Sequence, residues 1–185
     1  MNKILKLAGV MFLITLIITL VGKFALGPEF VLGKLSMISS TVLPLILMIV
    51  LGRMFLRSGE GMLSYGEALK DLFIAALIAG VLGLVVGILL YQNDGEMKTA
   101  YRDYSISMAQ WGLETGLGFD GKSEAEIQIA KEELKAEMVA DTKTFDESYP
   151  FQFSVLPMNL ITVIVMYLIF ALIAAIFVKE KGSSA

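Results

Sequence analysis

The stretch Ser64–Tyr91, SYGEALKDLFIAALIAGVLGLVVGILLY, constrains this chain more than any other. It starts as a helix starts. Ser64 is placed to cap the first turn, and Glu67, three residues on, can reach back to it, the pattern of a capping box. No charge falls between Leu72 and Leu90. A helix rises about 1.5 Å per residue, so this run is long enough for a hydrocarbon core of ~30 Å. Small residues recur at Ala75, Ala79, Gly83 and Gly87, with Ala76 and Gly80 beside them. Gly83 and Gly87 form a GxxxG. In lipid no water is expelled between helices, so association rests on packing, and small residues let a second backbone come close. The stretch reads as the central helix of a membrane bundle, with Ala75, Ala79, Gly83 and Gly87 as its helix-packing face.

Of the residues, 56% are hydrophobic, against about 45–50% in a soluble domain, and the mean hydropathy is +0.74. The excess lies in four blocks. The expected fold class is therefore all-α: a polytopic membrane protein with four transmembrane helices, at about 4–21, 35–55, 69–91 and 156–178, and an acidic helical hairpin, 92–152, outside the membrane between the third and fourth. Cys and His are both absent. That removes disulfides, thiol nucleophiles, imidazole bases and the usual zinc and haem ligands, and no cofactor is expected. A carboxylate-only metal site stays open in principle. Charge is uneven: Gln92–Gln152 holds 13 acidic and 6 basic residues, a net −7, and the remainder of the chain carries +4.

The first block follows Lys3 and Lys6, as a signal peptide would, but Pro28 after Ala25-Leu26-Gly27 makes a poor cleavage context, so a retained helix is expected. Thr15 and Thr19 share a face and are expected to bond back to their own helix. Pro44 sits inside the second span after Ser39, Ser40 and Thr41. A proline ring clashes with the carbonyl four residues back, so a kink is expected, with neighbouring hydroxyls satisfying the freed groups or, alternatively, a carbonyl lining a polar cavity. Arg53 and Arg57 end this span one turn apart, and a short loop leads to Glu67 and Asp71, so the second and third spans are expected to form an antiparallel hairpin with these charges facing one another. These four residues are candidate interfacial ion pairs. They read either as a transport path or, more plainly, as charges snorkelling to the interface.

In the soluble segment Met97, Tyr101, Tyr104, Met108 and Trp111 repeat at helical spacing, followed by Gly112, Gly116, Gly118 and Gly121, which are expected to break the helix. Ser123 and Glu126 form a second capping box, and Ile127, Ala130, Leu134 and Met138 make a second stripe. Two amphipathic helices are expected to pack on each other or on the membrane surface. Tyr101, Tyr104 and Trp111 are then either hairpin core or a partner surface. The last span opens with Pro157 in its first turn and offers Ala171 and Ala175 as a small face for the central helix. A second copy of the chain is the other occupant of the glycine face. With both ends inside, Lys3, Lys6, Arg53, Arg57, Lys70, Lys179 and Lys181 are cytoplasmic, which the positive-inside rule prefers.

Arg57-Ser58-Gly59 and Met62-Leu63-Ser64-Tyr65-Gly66-Glu67-Ala68-Leu69-Lys70 resemble the segment before the third span of the DUF4199 family. These are four-span bacterial membrane proteins of unknown function, frequent in Bacteroidetes, with a helical soluble insert before the last span. The resemblance implies the bacterial inner membrane and carries no catalytic residues. Three functions are weighed. One is a non-enzymatic accessory or scaffold subunit whose acidic hairpin meets a protein partner. A small oligomeric transporter or channel lacks deep charges and a clear inverted repeat. A membrane enzyme lacks a nucleophile with its base. The expected partners are membrane lipids and a protein or a second copy, with no nucleic acid.

Overall fold

The structure, a computed structural model, describes residues 2–28, 32, 34–56 and 63–179 and, for residues 2, 34–40 and 142, the backbone alone. In order the chain forms α1 (Asn2–Val21) with a π turn (Gly22–Leu26), α2 (Lys34–Leu56), α3 (Tyr65–Tyr91), α4 (Gly95–Phe119), α5 (Glu124–Ala140), α6 (Thr142–Ser148), a 3₁₀ turn (Phe153–Val155) and α7 (Leu156–Val178). No strand occurs among the described residues. Two compact units result: Met1–Gln92 with Phe151–Ala185, and Asn93–Pro150.

Three stretches of the first unit, Lys3–Leu26, Tyr65–Tyr91 and Phe153–Val178, are long and apolar enough to cross a membrane, while the apolar part of α2 within the described residues is the shorter Thr41–Leu56. α3 packs on α1, α2 and α7, most extensively on α7, and α2 packs on α7 and α1. The order round the bundle is α1, α3, α7, α2. The expectation that the second and third spans sit side by side is corrected here: α2 and α3 lie across the diagonal and touch lightly. They come close at Gly52, where an added Cβ would stand 2.8 Å from Leu72 Cδ2 and 3.0 Å from Val178 Cγ2. The interior holds Leu7, Met11, Met48, Leu72, Ala75, Ala76, Ala171, Ala174, Ala175 and Val178, and among the described residues no polar or charged side chain is buried.

Local signals act as their chemistry dictates. Ser64 Oγ accepts from the Glu67 amide at 3.3 Å, and Glu67 accepts from the Ser64 amide at 3.0 Å, completing the box that starts α3. Thr15 donates to the Met11 carbonyl at 3.0 Å and Thr19 to the Thr15 carbonyl at 2.9 Å, so both hydroxyls are satisfied within α1. α2 continues through Pro44. Arg57, Lys181 and the Arg57–Met62 part of the family-like motif lie outside the described residues, as do the side chains of Ser39 and Ser40.

The second unit corrects two expectations. α4 is not broken at Gly112, Gly116 or Gly118 but runs to Phe119, and the chain reverses at Gly121, whose φ is +71°. A helical glycine costs only about 1 kcal/mol relative to alanine, whereas a positive φ strains any residue with a Cβ. The face turned to α5 is also not the aromatic stripe. Arg102 donates to the Val139 carbonyl, Gln110 to the Lys131 carbonyl at 3.1 Å, and Lys131 pairs with Glu114 at 2.6 Å. These contacts make α4 and α5 antiparallel and place Arg102, Gln110 and Glu114 inward with the buried Ile106. Trp111, expected to pack there, is 63% exposed. Tyr101 is instead taken by α6, an element the sequence reading missed. Its hydroxyl donates to the Ser148 carbonyl at 3.2 Å, and its ring meets Tyr149 edge-on at 5.6 Å. α6 has only seven residues, and the far end of the stripe, Met108 and Trp111, is exposed.

Candidate functional site

Three basic residues, Lys23, Arg53 and Arg102, share a placement. Arg53 Nε, on α2, donates at 3.0 Å to the carbonyl of Phe177. Lys23, after α1, donates to the carbonyl of Leu90. Arg102, on α4, donates to the carbonyl of Val139. Each acceptor is the penultimate residue of a neighbouring helix: α7, α3 and α5 in turn. The last four carbonyls of a helix have no partner within it and carry the negative end of its dipole. A cation arriving from another helix satisfies both deficits at once. Arg53 is therefore a helix-end cap and not half of an ion pair with α3. Glu67 is engaged by Ser64, and among the described residues no cation pairs with Glu67 or Asp71. The sequence could not show this, because which helix end lies beside a given cation depends on the order of helices round the bundle.

Aromatic rings accompany the caps. The Lys23 ammonium stands 5.0 Å from the centre of the Tyr91 ring. Tyr91 is 1% exposed, donates its hydroxyl to the Thr19 carbonyl at 3.3 Å and packs on Phe151 at 4.9 Å. This ties the end of α1, the end of α3 and the approach to α7 into one cluster. Elsewhere in the unit, Tyr65 donates to the Leu172 carbonyl at 3.2 Å, and Lys179 lies 5.9 Å from the Tyr65 ring.

The predicted packing face divides. Ala75, Ala79, Ala171 and Ala175 are buried in the core of the bundle. Gly83 faces α1, where an added Cβ would meet Thr15 Cγ2 at 3.8 Å, and Gly87 lies under Phe151, whose ring an added Cβ would meet at 3.5 Å. The tight glycine is Gly80, which the sequence ranked beside the face. A Cβ there would run into the Tyr167 ring of α7, within 3.0 Å of Cδ2 and 3.1 Å of Cζ.

In the insert the aromatic residues separate into two sets. Tyr101 is half-buried beside Phe145 and Tyr149, on either side of which lie cavities of about 200 Å³ and 370 Å³. The smaller is lined by Lys98, Thr99 and Arg102 among others, the larger by Leu134, Met138, Glu137 and Asp141. Tyr104 is half-buried. Trp111 and Phe119, 63% and 87% exposed, stand on the outside. Two acids at helix starts, Glu126 and Asp141, favour the anionic form. Backbone and side-chain hydrogen bonds from Ser123, with a further bond from Lys122, hold the Glu126 carboxyl below the usual range. The Thr144 hydroxyl and amide do the same for Asp141 at the start of α6. Among the described residues no cluster of three acidic side chains has metal-binding geometry.

No curated protein and no solved structure matches the chain. A family match does span it, covering residues 5–180 and so both units almost in full. The apolar helices, the capped start of α3 and the helical insert before α7 are the features through which the sequence resembled that family, and the chain belongs to it: the family described as protein of unknown function, DUF4199.

Proposed function

We propose that the protein is a non-enzymatic, four-span component of the bacterial inner membrane, with both termini cytoplasmic, that holds its acidic insert on the outer side as a docking module for a protein partner. α2 supplies the fourth span. Its 23 residues extend about 34 Å, enough for the hydrocarbon core. The observation that carries the reading is the contrast between the units. In the first, the buried side chains of the described residues are apolar, and Arg53 and Lys23 are engaged at helix ends. An ion or solute path instead draws polar and charged side chains into the bundle interior. In the second, Trp111 and Phe119 are exposed in a segment of net charge −7. Exposed aromatic anchors of this kind are enriched where partners bind.

The test places a photoreactive residue at Trp111 and, separately, at Phe119 in intact membranes. The expected result is one protein adduct of the same size from both positions. The companion variant Trp111→Ala should change stability by less than about 0.5 kcal/mol, because most of the side chain already stands in solvent. Lipid adducts alone, together with ion flux through vesicles containing the purified protein, would favour the small-transporter reading instead.

A further inference from the structure

The smaller cavity of the insert lies between α4 and α6. Lys98 and Arg102 sit one turn apart at its head, and Tyr101, Phe145 and Tyr149 wall it. The Lys98 ammonium is 5.7 Å from the centre of the Tyr149 ring, and the Arg102 guanidinium is 5.5 Å from that of Phe145. Ring faces stabilise these cations but accept no conventional hydrogen bond from their N–H groups. One guanidinium nitrogen of Arg102 reaches the Val139 carbonyl, while its Nε is buried without an acceptor. Such an orphaned buried donor is uncommon in folded proteins and calls for an account. Among the described residues neither cation is ion-paired. Two of the wall hydroxyls are committed elsewhere: Thr99 donates to the Gly95 carbonyl at 3.0 Å and Tyr101 to the Ser148 carbonyl at 3.2 Å.

We propose that this groove binds a small monocarboxylate with an apolar body, its carboxylate on Lys98 and Arg102 and its body against the three rings. Charge sets the valence. Two cations and one lining acid, Asp146, leave a single positive charge, which suits a monoanion better than a dianion. Surrounding charge sharpens the point, because the whole insert is −7 and a positive groove within it is a local construction. Volume sets the size. About 200 Å³ corresponds to roughly half a dozen waters, room for a small organic acid. The neighbouring 370 Å³ cavity contains Glu137 and Asp141 and repels the same ligand.

Benzoate is the probe, benzamide its neutral counterpart and inorganic phosphate its more highly charged competitor. Binding to the full-length protein in detergent is followed by ligand-observed NMR at constant ionic strength. The proposal expects saturable benzoate binding, with benzamide and phosphate each at least about tenfold weaker. It also expects a loss of about tenfold in benzoate affinity for Lys98→Gln, which leaves the Arg102 cap and the helix intact. Absence of saturable benzoate binding, equal binding of benzamide, tighter binding of phosphate, or a folded Lys98→Gln variant that binds like wild type would each overturn it. The wild-type comparison of benzoate with benzamide decides the matter even where the variant does not fold.

Discussion

Tyr91→Ala is expected to destabilise the first unit by about 3–5 kcal/mol, the usual range for removing a buried aromatic ring. The side chain is 1% exposed, its hydroxyl donates to the Thr19 carbonyl, and its ring packs on Phe151 and lies under the Lys23 ammonium. Removing it leaves a cavity between the ends of α1 and α3. It also takes the aromatic face away from Lys23, which caps α3. Tyr91→Phe separates the contributions. It keeps the ring and loses one hydrogen bond, so its cost should be about 0.5–1.5 kcal/mol. Both values are read from unfolding of the purified protein in detergent. A Tyr91→Ala variant that unfolds with wild-type stability would mean that the cluster does not hold the helix ends together.

The second large effect is at Gly80. An added Cβ there collides with the Tyr167 ring, which is itself packed edge-on against Phe170 at 6.2 Å. Overpacking of a close contact costs about 1–3 kcal/mol, and Gly80→Ala is expected to lower stability by that amount. Gly83→Ala is the control. Its Cβ would meet Thr15 Cγ2 at 3.8 Å, an ordinary contact, and helix propensity favours alanine over glycine, so stability should hold or rise. In a Tyr167→Leu background the penalty at Gly80 should shrink, because the colliding ring is gone. Equal behaviour of Gly80→Ala and Gly83→Ala would show that α3 and α7 are not in this register.

What the sequence disclosed follows the range of the forces involved. Capping boxes are local, so Ser64 with Glu67 and Ser123 with Glu126 were legible from spacing alone and recur as hydrogen bonds. Apolar runs are also local, and the helices around Tyr65–Tyr91 and Leu156–Val178 begin and end close to where charges and breakers placed them. Azimuth is not local. A stripe with a four-residue repeat marks which residues share a face, but Gly80 lies off that stripe and makes the tightest approach, because contact depends on where the Tyr167 ring descends from α7. The aromatic stripe of α4 failed for a related reason. Its spacing suited a hairpin core, yet the α5-facing side is set by Arg102, Ile106, Gln110 and Glu114. The capping of α6 by Asp141, which accepts from the Thr144 amide at 3.0 Å, was readable in principle. A seven-residue helix has no periodicity long enough to announce itself, and with it the groove at Lys98 and Arg102 went unseen.

The positions of the cations connect packing to function. Lys23, Arg53 and Arg102 each reach the penultimate carbonyl of another helix. Lys23 and Arg53 join helices distant in sequence, Arg102 joins the consecutive α4 and α5, and all three stabilise ends that would otherwise present bare carbonyls. On the function proposed above, the bundle is the support and the insert carries the docking surface. That account requires the insert to stand outside the cytoplasm.

The absence of cysteine from the chain makes the direct measurement clean. Ser123→Cys, at the start of α5 in the insert, and Ser183→Cys, near the C-terminus, are introduced one at a time and exposed to a membrane-impermeant thiol reagent in cells with a permeabilised outer membrane and an intact inner one. The account predicts labelling of Ser123→Cys at once and of Ser183→Cys only after the inner membrane is opened. Labelling of Ser183→Cys with protection of Ser123→Cys would contradict it, placing the acidic insert in the cytoplasm.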